Sequence, residues 1–109
     1  MINVGILLIK QYKLLSVAAI LDVFETANKF HTQKGLDVPY RLSLVNCEKQ
    51  NDLFFDDYPL VSIHDESRYD LILIPAFTTD DIRSAVSQNM VFIPWLTKQY
   101  QQNAEIATV

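Results

Sequence analysis

Two kinds of apolar pattern follow one another along the chain. Ile2 to Ile9 (Ile-Asn-Val-Gly-Ile-Leu-Leu-Ile) is nearly all apolar, which suits a central strand covered on both faces better than an edge strand with one wet face. Val17, Ile20, Leu21, Phe24 and Ala27 then recur at the spacing of one buried helical face, with Asp22, Glu25, Asn28 and Lys29 on the other sides. Ser16 is placed to cap that helix, and Gly35 can end it by taking a left-handed conformation. Tyr40 to Val45 alternates after the boundary set by Pro39 and predicts a second strand. Strand, helix, strand implies a right-handed crossover within a parallel sheet.

Asn46 to Asp57 is polar apart from Leu53, Phe54 and Phe55, and Tyr58 to Ile63 follows; a small exposed hairpin is expected there. Tyr69 to Ile74 predicts a third parallel strand, broken by Pro75. Thr78 or Thr79 can cap a short helix whose first turn carries Asp80 and Asp81, favourably placed for the helix dipole. A longer helix is predicted from about Gln88 to Gln102, with Phe92, Trp95, Leu96 and Tyr100 inward. Pro94 fits its first turns, and Asn103 can take the left-handed position at its end. The short run from Asn103 to Val109 predicts a final, buried parallel strand. In such sheets the site lies at the C-terminal ends of the strands, where the polar loop Lys10-Gln11-Tyr12-Lys13 and the turn Pro75-Ala76-Phe77-Thr78-Thr79 share one rim.

Composition narrows the function classes. A length of 109 residues suits one domain or most of one. The net charge of -4 argues against these residues themselves gripping a phosphate backbone. A single cysteine, Cys47, excludes an internal disulfide and a Cys-rich zinc site. The N-terminus lacks a signal-peptide pattern and no apolar run is long enough for a membrane span, so a cytoplasmic protein that keeps off the membrane is expected.

Familiar chemistry finds little support. The two glycines, Gly5 and Gly35, belong to no dinucleotide-binding or P-loop pattern. A phosphoacceptor domain would want acids after the first and third strands, where Lys10-Gln11-Tyr12 and Pro75-Ala76 stand. His31 and His64 lack neighbours at ligand spacing, Cys47 lacks a clearly activating environment, and Asp56-Asp57 and Asp80-Asp81 fit turns or a helix start better than paired acid-base work. No metal and no cofactor are expected.

Leu14 to Asn28, with its leucine pair and Asp22-Val23-Phe24, resembles the segment after the first strand in the ThiJ/PfpI superfamily, the class I glutamine amidotransferase-like fold. The nearest branch is the one fused to AraC-type transcription regulators. Phe92-Ile93-Pro94-Trp95-Leu96 through Gln99-Tyr100 to Ala104–Val109 is similar to the helix and strand that run into that family's nucleophile elbow. The resemblance implies a flavodoxin-like parallel α/β sheet with helices on both faces, of which this chain would form the N-terminal part. In enzymes of the superfamily an acid after the first strand approaches the elbow cysteine, and a Gly-Gly turn after the third strand supplies oxyanion donors. In this chain the acid position falls on Ser16, the glycine turn on Pro75-Ala76-Phe77, and the cysteine position after Val109. Both departures point away from catalysis.

What the resemblance implies is therefore a homodimeric sensor domain for an unknown small-molecule ligand. DNA would be contacted only through a downstream helix-turn-helix domain. The ligand pocket is expected to be rimmed by Lys10, Tyr12, Ser16, Ala76 and Phe77, with whatever follows Val109 as its floor. A bare apolar edge at the last strand leads us to expect a chain that continues past the elbow or needs a partner. The alternative is a cysteine-dependent hydrolase, hydratase or peptidase, and a third possibility is an oligomerisation module with no ligand.

Overall fold

The computed structural model describes residues 1–48 and 57–109. In chain order it contains β1 (Ile2–Leu7), α1 (Leu14–Gln33), β2 (Tyr40–Asn46), β3 (Leu60–Ser62), β4 (Leu71–Ile74), α2 (Ile82–Asn89), a 3-10 turn (Met90–Phe92), α3 (Ile93–Gln101) and β5 (Glu105–Thr108). The five strands form one sheet in the order β3-β2-β1-β4-β5, and every pairing is parallel. This is a flavodoxin-like α/β arrangement with β1 at its centre, as its unbroken apolar run demands.

Paired residues in a parallel register share a face, and the register sorts the core into two layers. Val4 stands beside Leu42 and Leu71, and Ile6 beside Leu44 and Leu73. These side chains meet Val17, Ile20 and Leu21 of α1. Leu7 stands beside Val45, and Ile72 beside Ile106; this face meets Phe92 and Trp95. The helices lie on opposite faces because the chain leaves β1 and β4 in opposite lateral directions while each crossover keeps the same hand.

Small features lock these layers. Gly35 (φ 74°) and Asn103 (φ 75°) end the two long helices in the left-handed region, as expected. Pro94 sits in the first turn of α3, where its missing N–H costs no helical bond. Asn28 bonds both backbone groups of Tyr40, through Nδ2 to O at 3.0 Å and Oδ1 from N at 3.1 Å, and so ties the end of α1 to the start of β2. A Cβ on Gly5 would lie 3.1 Å from the ring of Tyr69. That glycine makes room for a ring which packs edge-on against Trp95 at a centroid distance of 6.0 Å.

Several expectations need correction. Leu60–Ser62 is no hairpin arm but a parallel strand on the free edge of β2; the stretch 49–56 of the expected hairpin lies outside the described residues. Ser16 lies inside α1, whose N-cap position is Lys13. Asp81, not Thr78 or Thr79, caps α2, accepting from the N–H groups of Arg83 and Ser84. The short helix and the longer one expected from Gln88 are both present, but the short helix runs on to Asn89 and the longer one begins with a 3-10 turn, so that its α-helical part starts at Ile93. Tyr100 points outward with 69% of its surface exposed, and Gln99 is buried instead. β5 is an edge strand in which only Ile106 is half-buried, because nothing pairs its outer side among the described residues. Among the described residues no helix is long and apolar enough to cross a membrane.

Candidate functional site

From β1 the chain steps to β2 and β3 on one side, then returns to β4 on the other. The loops leaving β1 and β4 therefore diverge at the switch point, where open α/β sheets usually keep a ligand crevice. In this protein the two loops are laced together. Tyr12 and Phe77 form an isolated antiparallel bridge, with Lys13 N–H donating to Ala76 O at 2.8 Å and Thr78 N–H to Gln11 O at 2.9 Å. Gln11 holds φ 63° to make this seam, a conformation that costs a non-glycine residue about 1 kcal/mol.

Two side chains reinforce the seam. The Ser16 hydroxyl oxygen accepts from Ala76 N–H at 2.9 Å, joining the first turn of α1 to the turn after β4. Asn89, at the end of α2, accepts from Lys10 N–H at 2.7 Å and donates to Lys10 O at 3.2 Å and to Ala85 O at 2.9 Å. Nδ2 thereby donates twice and Oδ1 accepts once. The Gln11 side-chain amide also donates to Gln88 Oε1 at 3.0 Å.

The open space lies beside the seam, on the α2 and α3 face. A cavity of about 510 Å³ has Leu7, Ile9 and Ile74 as its floor. Val86, Phe92 and Leu96 form its wall, and the Ala76–Phe77 and Thr108–Val109 segments stand at its mouth. No lining residue is ionisable, and Asn89 and Thr108 are the only polar side chains in the lining. The arrangement can exclude water from a bound molecule, but its lining presents no thiol, carboxylate, imidazole or amine.

No family model matches the chain, and no curated protein matches it.

Of the five residues expected at the pocket, Ala76 and Phe77 line the cavity; Lys10, Tyr12 and Ser16 do not. Their part is to hold the rim. Lys10 is bound through its backbone and its side chain is exposed. Tyr12 is half-buried and packs against both core layers, and Ser16 fixes Ala76. Leu7, Ile9 and Ile74, at the ends of β1 and β4, also belong to the lining. Asn89 and Val86 were not foreseen at the site; an asparagine or valine inside a helical stretch carries no signal of what it faces. Away from the cavity, Cys47 is half-buried against the α3-side core, and His31 Nδ1 lies 2.9 Å from Ala27 O in the last turns of α1.

Proposed function

We propose that the chain is a ligand-sensing and dimerising domain without catalysis, of the amidotransferase-like kind found in AraC-type transcription regulators. The observation that carries this reading is the bond from Ala76 N–H to Ser16 Oγ. In the catalytic pattern that the resemblance implies, the Ser16 position holds an acid and the Ala76 turn offers backbone amides to a developing oxyanion. In this chain the two positions bind each other, so the carboxyl is lacking and the Ala76 donor is engaged. The seam from Tyr12 to Phe77 further closes the approach to that turn.

The other parts of the reading have their own support. The net charge of -4 fits a domain that leaves DNA to a separate helix-turn-helix domain. Leu15, Val23 and Phe30 are exposed along the outer side of α1, at spacings of eight and seven residues that keep them on one stripe. A second copy packed antiparallel would cover that stripe.

The test uses the product of the complete reading frame. A basic helix-turn-helix pair in that product, retention of DNA from its neighbouring intergenic regions and no thiol-dependent turnover are expected. Hydrolysis of esters or amides that a thiol reagent abolishes would overturn the reading, as would the absence of any DNA-binding domain.

A further inference from the structure

We propose that the cleft between the β3–β4 connection and α3 is a second site, which takes a small organic molecule through a single carboxylate held between Arg68 and Lys98. The site is separate from the seam and does not depend on the regulator reading. It arises where the cover of the sheet is thin. The chain crosses from β3 to β4 in residues 63–70 without forming a helix, and so fills less space beside α3 than a helix about 10 Å across would. A cleft of about 390 Å³ is left, within the range of about 300–1,000 Å³ usual for small-molecule sites.

Both walls are fixed. The buried Gln99 side chain donates to Ser67 O at 2.7 Å and accepts from Tyr69 N–H at 3.2 Å, which ties the connection to the helix. Where the crossing begins, the Asp65 carboxylate accepts from Ser62 N–H at 3.1 Å and closes a turn. Further along, Arg68 donates to Gln102 O at 3.2 Å. The most buried members of the lining, Trp95 and Gln99 at 7% and 2% exposure, form its base. Walls already joined in this way lose little freedom when a ligand enters, which lowers the cost of binding.

The charges in the lining are sorted along the cleft. Exposure alternates from His64 to Arg68, with His64, Glu66 and Arg68 exposed and Asp65 and Ser67 half-buried between them. Lys98 precedes Gln102 by one helical turn on the same row of α3, and the Arg68 guanidinium is bonded to Gln102 O. Two cations therefore stand at the same end. Among the described residues neither forms an ion pair, so each can meet an anion. A carboxylate matches the fork of an arginine and can accept from an ammonium at the same time. A dianion fits less well, because Asp65 and Glu66 belong to the same lining and oppose a second negative charge. Both cations also stand at the negative end of the α3 dipole, a stabilising role that needs no ligand and that mutation can tell apart from binding.

Trp95 is the single tryptophan of the chain and lines the cleft, so its fluorescence reports occupancy. The test is titration of the full chain with benzoate, with benzamide as its uncharged counterpart and inorganic phosphate as the dianion. Saturable one-to-one quenching by benzoate is expected, with a Kd on the order of 1 mM and with benzamide weaker by about tenfold or more. The Lys98 side chain makes no bond among the described residues, so Lys98→Gln should fold as the parent does and weaken benzoate by about tenfold. Arg68→Gln should weaken it in the same direction, and Lys29→Gln, on α1 across the sheet, should leave it unchanged. Unsaturable quenching, equal affinity for benzamide, or tighter binding of phosphate would each overturn the proposal. So would Lys98→Gln and Arg68→Gln proteins that unfold more easily yet bind benzoate like the parent, since the two cations would then serve the end of α3 alone.

Discussion

The seam over β1 and the cavity over β4 and β5 lie side by side at one end of the sheet and are built from opposite materials. The seam is backbone N–H and C=O groups, an asparagine amide and a serine hydroxyl, each bonded to another. The cavity is hydrocarbon, with almost no polar atom to bond. The hydrogen-bonding groups described at the seam are occupied with one another, and the proposed binding role rests on that contrast.

Removing the cavity's wall should have the largest effect. Phe92→Ala leaves a hole beneath the 3-10 turn and should lower unfolding free energy by about 3–5 kcal/mol in chemical denaturation. If the loss is under about 1 kcal/mol, the wall is not packed as described.

Asn89→Ala cuts the joint between the two regions. It removes three hydrogen bonds and leaves Lys10 backbone groups to find water, which should cost about 1–3 kcal/mol. The amides of Lys10 and Gln11 should exchange faster in deuterium, with Ile72 and Leu73 unaffected.

Ser16→Ala removes one acceptor from the seam and should cost about 1 kcal/mol. It should leave amide exchange at Trp95 and Leu96 of α3 unchanged, which separates the two regions directly. Concerted loss of both would show that they are one unit.

The smallest effect concerns the core behind the cavity. Burial raises the pKa of Tyr69, against hydrogen bonds with Ser67 and Ser43 that lower it. An acid whose folded pKa is raised favours the folded state fully below its unfolded value, about 10, and loses that contribution as pH climbs through the folded value. Unfolding free energy should therefore fall above about pH 10, and Tyr69→Phe should flatten that fall.

The central sheet was legible because burial on two faces leaves a mark on every residue. Ile2 to Ile9 has almost no polar position, and β1 is the middle strand. Gly35 and Asn103 were legible for a different reason, since only a few residue types tolerate a left-handed backbone. β3 was not legible. Its three residues pair because the edge of β2 is free, a tertiary fact with no local pattern.

Helix α3 shows how a one-residue error arises. Tyr100 and Gln99 are neighbours, one apolar in body and the other polar, and periodicity favours burying the tyrosine. In the structure Gln99 is buried because its amide donates to Ser67 O at 2.7 Å and accepts from Tyr69 N–H at 3.2 Å. Those partners lie about thirty residues away in sequence. Ser16 misleads in the same manner, since a hydroxyl near a helix start looks like a cap whether it bonds its own helix or, as in this fold, the turn after β4. The meeting of the loops after β1 and β4 follows from strand order, while the cavity beside them, made by helices meeting strand ends, leaves no local pattern.

The most direct test of the division between seam and cavity is chemical-shift mapping of labelled Ser16→Ala protein against its parent. Shifts centred on the amides of Lys13, Ala76 and Thr78, with the methyl groups of Val86, Ile93 and Leu96 unmoved, are the predicted result. Shifts spread equally over those methyl groups, or seam amides that stay unmoved, would contradict it.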